Sequence, residues 1–131
     1  MKVLLVDDQS SARRVLASII SKLDGTEIHE ASSLAEARRV LESTALDVAL
    51  IDLRLSNDAT NREGLTLLAE IREKTAVVPI MVTASQEMPE IRMAMRLGAY
   101  DYILKDDLCE ELVLPVLTGL GARRRLEREV R

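Results

Sequence analysis

The chain has 131 residues, 47% of them hydrophobic and 31% charged, with a net charge of −4 and a single cysteine. That length supports one domain with its own core, and the composition excludes a disordered chain or a membrane-spanning one. Five arginines and two glutamates between residues 123 and 131 carry +3, which leaves 13 basic and 20 acidic groups, a charge of −7, on residues 1–122. An acidic body of this kind repels nucleic acid, so direct DNA binding by the domain is not expected.

Val3-Leu4-Leu5-Val6 is a short apolar run that reads as a strand buried on both faces, and it ends in Asp7-Asp8. It starts directly after Met1-Lys2 with no signal-peptide pattern, which with one unpaired cysteine predicts a cytoplasmic setting. Ser10 or Ser11 is placed to cap a first helix, whose face is Ala12, Val15, Leu16, Ile19, Ile20 and Leu23, and Asp24-Gly25 is placed to stop it. Residues 26–31 alternate polar and apolar, as at a sheet edge, so His29 is expected to face solvent without a catalytic or metal role. Leu34, Ala37, Val40 and Leu41 mark a second helix after Ser32-Ser33.

Val48 to Ile51 is a second fully apolar strand, closed by Asp52. The polar stretch from Ser56 to Gly64 is the longest expected loop, and Leu67, Leu68 and Ile71 then mark a third helix. A fourth strand covers 77–83, with Pro79 near its start, where a missing donor costs least. Met88, Ile91, Ala94, Met95 and Gly98 predict a fourth helix with its methionines in the core. Residues 100–105 form the fifth strand. Leu108, Leu112, Val116 and Leu120 begin the last helix, expected to bend or break near Pro115, with Cys109 partly buried on it and Asp106 or Asp107 as its cap.

Five strand-helix repeats predict an α/β fold, a doubly wound, flavodoxin-like sheet in three αβα layers. Right-handed crossovers around a central first strand give the order 2-1-3-4-5. The switch-point crevice then lies between the first and third strands, beside Asp7, Asp8 and Asp52. Thr83 and Lys105 end the fourth and fifth strands on the same side. Clustered carboxylates without His or Cys select a hard cation, and Mg²⁺ suits a site that also accepts a phosphate oxygen. Lys105 adds a point charge and Thr83 a hydroxyl donor, so a phosphoryl group is the complement the set implies.

Asp7-Asp8, Asp52, Thr83-Ala84-Ser85 and the stretch Leu97 to Lys105 resemble the receiver domain of two-component response regulators, over residues 2 to about 120. The resemblance implies that Asp52 accepts a phosphoryl group from a histidine on a sensor kinase or phosphotransfer protein. It implies Mg²⁺ on Asp8, Asp52 and the backbone carbonyl of Arg54, with Asp7 acting through water and Lys105 pairing with Asp52 or the phosphoryl oxygens. Thr83 and Tyr102 would form the switch, while Arg54 and Ser85 would tune the lifetime of the acyl phosphate. A homodimer through the face of helix 4, strand 5 and helix 5 is a further implication.

Three departures stand out: Leu55-Ser56 replaces Leu-Pro and is followed by a long loop to Gly64, Lys105-Asp106 replaces Lys-Pro, which predicts a trans peptide there, and the basic tail Ala122 to Arg131 resembles a helix that leaves a receiver toward an output or kinase domain. On this reading residues 1–121 are the receiver, and 122–131 are a basic helical extension or a linker toward an output domain or partner. The chain is then a phosphoacceptor signalling domain and not an enzyme. A metal-dependent aspartyl phosphatase needs a second acid where Arg54 stands, and a nucleotide or flavin module needs a glycine-rich loop that the sequence lacks. A receiver-like interaction module independent of phosphorylation is the remaining alternative.

Overall fold

A computed structural model describes residues 1–130, with the side chains of residues 1–121. Five strands, β1 (Lys2–Val6), β2 (Glu27–Ala31), β3 (Val48–Ile51), β4 (Val78–Thr83) and β5 (Asp101–Leu104), alternate with α1 (Ser10–Ile20), α2 (Leu34–Ser43), α3 (Glu63–Lys74), α4 (Met88–Arg96) and α5 (Glu110–Val130). The strands are all parallel in the order β2-β1-β3-β4-β5, as the sequence predicts, with β2 at an edge. Alternate side chains of each central strand point to opposite faces, so the core divides in two. Leu4, Val6, Ala49, Ile51 and Met81 pack with Ala37, Leu67, Leu68, Ile71 and Ala94 on the face of α2, α3 and α4. Val3, Leu5, Val48, Leu50, Ile80 and Val82 pack with Leu16, Ile19, Ile20, Val113, Leu117 and Leu120 on the face of α1 and α5.

Local chemistry explains where several helices start. The Glu36 amide donates to Ser33 Oγ at 3.1 Å, and the Glu36 carboxylate accepts from Ser32 N and Oγ, so both residues before α2 are tied to its first turn. In α1 neither serine caps: the helix already includes Ser10, and Gln9 is its N-cap residue without a side-chain bond. That helix also ends at Ile20, earlier than expected, and Gly25 serves the following turn with φ +76°. Asp106 and Asp107 lie in a 3-10 turn, Lys105–Asp107, before α5 and do not cap it.

The structure corrects several burial expectations. Val15 on α1 is 52% exposed, and Cys109 is exposed at the start of α5. Met88 and Met95 are 54% and 47% exposed, because α4 turns Glu90 and Ala94 inward instead. Apolar periodicity could not foresee a helix whose buried line contains a carboxylate. On α5 the buried line is Val113, Leu117 and Leu120, one residue on from the expected face at its start, and Leu112 is exposed. The helix also continues through Pro115; the carbonyl this releases belongs to Glu111, at an exposed position that water can reach. It carries residues 122–130 of the expected extension, whose side chains lie outside those described. Among the described residues no helix is long and apolar enough to cross a membrane.

The long loop folds back on itself. Asn61 Oδ1 accepts from the amides of Leu55 and Glu63, and Asp58 Oδ1 accepts from Thr60 N and Oγ1. Gly64 then lets α3 start hard against the end of β3, with its amide 2.9 Å from the Leu53 carbonyl. A Cβ at Gly64 would lie 2.0 Å from the Asp52 carbonyl oxygen and 2.7 Å from Leu53 Cα, both backbone atoms. Gly64→Ala is therefore expected to lower stability by about 3 kcal/mol, the upper part of the range for overpacking, measured by urea unfolding.

Candidate functional site

Register brings the chemistry to one end of the sheet. Val6 pairs with Ile51 and Thr83 with Leu104, so Asp7-Asp8, Asp52, Thr83 and Lys105 emerge side by side at the carboxyl ends of their strands. The amide of Asp52 donates to the Val6 carbonyl at 2.9 Å, and that of Asp7 to the Ala31 carbonyl at 3.1 Å, which fixes both backbones before any side chain is considered. Asp7 and Asp52 are buried, at 3% and 8% exposure, and Asp8 is partly buried.

Lys105 joins them. Its Nζ lies 2.7 Å from Asp7 Oδ2 and 2.9 Å from Asp52 Oδ2. Burial alone would push this ammonium's pKa down, but hydrogen bonds to Asp7 and Asp52 and the charge of both outweigh it, and the pKa is raised. The described chain has no cis peptide, so Lys105 reaches its partners from a trans backbone. Asp7 is oriented further by the Gln9 amide, which donates to its Oδ1 at 2.9 Å, and its carbonyl accepts from Arg13 Nη1 at 2.6 Å.

One oxygen from each of Asp7, Asp8 and Asp52 lies within 4.8 Å of the others. Three ionised carboxylates and one ammonium sum to −2, the charge that a divalent cation cancels. The donors are all hard oxygens, which fits Mg²⁺ and not a soft metal.

On the other side of Asp52 stand Thr83, Ser85 and Tyr102. Thr83 is 1% exposed, and its Oγ1 accepts from the Ser85 amide at 3.4 Å. The Tyr102 hydroxyl donates to the Ser85 carbonyl at 2.9 Å while its ring packs on the core beneath α4. Burial raises the Tyr102 pKa, against the effect of its hydrogen bond to Ser85. Ser85 Oγ in turn donates to Glu90 Oε1 at 2.9 Å. Arg54 has its side chain held by the Ala59 carbonyl (Nε, 3.0 Å) and by Glu90 Oε1 (Nη2, 3.3 Å). His29 stands apart on β2, paired with Glu27 at 2.9 Å.

Glu90, buried in the first turn of α4, carries no mark in the sequence. In Met88-Pro89-Glu90 an acid in a first helical turn is ordinary, and only its buried partners make it unusual. Gly64 was legible as a turn former, but not as the contact that sets α3 against the Asp52 backbone.

Comparison with known proteins places this doubly wound sheet, with three carboxylates and a lysine at its switch point, among signalling domains. The profile of the response regulator receiver domain matches residues 3–128, and the chain belongs to that family. It is 31% identical to the regulatory protein AtoC of Escherichia coli over 99% of its own length, and 31% identical to the alginate biosynthesis transcriptional regulatory protein AlgB of Pseudomonas aeruginosa over 94%. It spans only 27% and 26% of the length of those two relatives. Among solved structures, the receiver domain of NtrX from Brucella abortus superposes with a TM-score of 0.78 at 26% identity, over 90% of this chain and 96% of that one. A CheY-like receiver domain protein from Methanospirillum hungatei shares the fold, with a TM-score of 0.79 at 23% identity over 95% of this chain and 96% of that one.

The Lys105 ion pairs generate a pH dependence. A raised lysine pKa contributes stability that is fully present below the unfolded value of 10.5 and is lost as pH rises through the higher folded value. The stability advantage of wild type over Lys105→Gln is expected to stay flat through neutral pH and to shrink only above about 10.5, measured by urea unfolding at stepped pH.

Proposed function

We propose that this chain accepts a phosphoryl group on Asp52 from a phosphohistidine of a sensor kinase or phosphotransfer protein, and passes the resulting change in conformation to an output domain or partner. The observation that carries this reading is the Lys105 ammonium, 2.9 Å from Asp52 Oδ2, in a pocket shared with Asp7 and Asp8. In the transfer an Asp52 carboxylate oxygen attacks phosphorus. The new P–O bond forms as the P–N bond breaks, and its electron pair stays on the donor imidazole.

Asp8, Asp52 and the Arg54 carbonyl are the residues we assign to Mg²⁺, with Asp7 acting through water. A bound Mg²⁺ there supplies neutralisation of carboxylate and phosphoryl charge. Lys105 holds a phosphoryl oxygen by charge, and preorganisation by Asp7 keeps it in place before the group arrives. Thr83 turns its hydroxyl from the Ser85 amide to a phosphoryl oxygen, and Tyr102 moves with the segment around Ser85. Ser85 and Arg54 tune the acyl phosphate, Arg54 by shielding it from water. Residues 1–121 are the receiver on this reading, acting in the cytoplasm, and 122–131 lead on to the output. Pairing of two copies through α4, β5 and α5 belongs to the same proposal. The domain itself does not bind DNA.

Intact-mass analysis after treatment with acetyl phosphate and Mg²⁺ tests the core of this. Wild type is expected to gain one phosphoryl group, while Asp52→Asn gains none and Asp8→Ala gains none while remaining folded by circular dichroism. A gain on Asp52→Asn would refute the assignment. Arg54→Ala is expected to shorten the half-life of the acyl phosphate, followed by loss of the added mass with time; an unchanged decay would remove Arg54 from the chemistry.

A further inference from the structure

Glu90 is a buried carboxylate, 6% exposed, that lies outside the acceptor pocket. Burying an ion costs several kcal/mol unless partners compensate, so its partners are the reason it can sit there. They come from three segments. Ser85 Oγ donates to Oε1 at 2.9 Å from the β4–α4 connection, and Arg54 Nη2 donates to the same oxygen at 3.3 Å from the end of β3. Arg62 Nε lies 2.9 Å from Oε2 as an ion pair, although the two are not aligned for a hydrogen bond. Burial pushes the Glu90 carboxyl pKa up, but hydrogen bonds with Ser85 and Glu87 and the charges of Arg54 and Arg62 outweigh it and hold the pKa below the usual value.

The two arginines close the long loop at both ends. Arg54 Nε and Arg62 Nη1 both donate to the Ala59 carbonyl, at 3.0 and 2.8 Å. The Arg54 guanidinium is thus shared between loop backbone and Glu90, although it stands only two residues beyond Asp52.

We propose that Glu90 is a positioning residue that draws the Arg54 guanidinium away from the acceptor carboxylate, so that a phosphoryl group on Asp52 must compete with Glu90 for it. The inference rests on Asp52 being the phosphoacceptor. A guanidinium fork matches either a carboxylate or a phosphoryl group, but it cannot present the same donors to both. Coupling between two such claims is reciprocal: the free energy by which Glu90 holds Arg54 is lost to the phosphoryl group.

Loss of the acyl phosphate is the step that reports this competition. The oxygen of water attacks phosphorus, the bond from phosphorus to the Asp52 oxygen breaks, its electrons return to the carboxylate, and inorganic phosphate leaves with the protons of the water. A guanidinium beside the phosphoryl group obstructs the incoming water, so releasing Arg54 from Glu90 slows the step.

The full chain is labelled with acetyl phosphate and Mg²⁺, freed of the donor, and its loss of mass is followed for wild type, Glu90→Gln, Arg54→Ala and the double variant. Glu90→Gln keeps an oxygen to accept from Ser85, removes the charge and replaces the oxygen that faces Arg62 with an amide nitrogen. Its half-life is expected to exceed that of wild type by about fivefold, the low end of measured coupling between sites. Arg54→Ala and the double variant are expected to decay alike. Glu90→Asp, with the charge kept and the reach shortened, gives a second variant, expected to lengthen the half-life less and again only when Arg54 is present. Decay of Glu90→Gln at the wild-type rate overturns the proposal. So does an equal change with and without Arg54, which is what a merely structural Glu90 gives. A wild-type chain that takes up no phosphoryl group overturns the acceptor reading and this inference with it, and that result is visible before any variant is compared.

Discussion

The repulsion among Asp7, Asp8 and Asp52, and its relief by Lys105, is the constraint around which the carboxyl end of the sheet is arranged. At an effective dielectric near 20, two like charges at the 4.8 Å limit of this cluster repel by about 3.5 kcal/mol, and an ammonium in hydrogen-bond contact gains about 6 with each partner. The gross terms are therefore comparable, and one lysine holds the pocket together without neutralising it. The remaining negative charge favours a divalent cation beside these carboxylates.

That balance depends on backbone placement. Parallel pairing of β1 with β3 sets Asp7 and Asp52 side by side, and the turn after β5 delivers Lys105 from two strands away. The buried apolar faces of the strands set their register, and the ladder hydrogen bonds hold it. Packing Gly64 against the Asp52 carbonyl then ties the start of α3 to the same point, so the loop before it has little freedom where it leaves the site.

A second polar system lies beside the first. Glu90, Arg54, Arg62 and Ser85 connect the long loop to the start of α4, and the Ser85 backbone carries both the hydrogen bond from Tyr102 and the one to Thr83. Buried ionic groups of this kind are weak sources of net stability, because desolvation offsets most of the attraction. Their effect is to fix one arrangement of the loop and of the first turn of α4. The same arrangement leaves Met88 and Met95 facing outward.

The sequence by itself determined the sheet order, the edge position of β2 and the strand-end placement of Asp7, Asp8, Asp52, Thr83 and Lys105. Those features follow from short apolar runs, whose period and length are local properties, and from chain handedness, which leaves few topologies. Only the tertiary structure decided which faces of α4 and α5 are buried, how the loop from Ser56 to Gly64 folds, and that Glu90 sits inside. Apolar periodicity finds a buried face when burial is driven by hydrocarbon, as with Leu67, Leu68 and Ile71 on α3. It fails where a carboxylate is buried because arginines more than 25 residues away in the chain, Arg54 and Arg62, meet it. Their approach is set by the packing of β3, α3 and α4, which no local pattern in the sequence encodes.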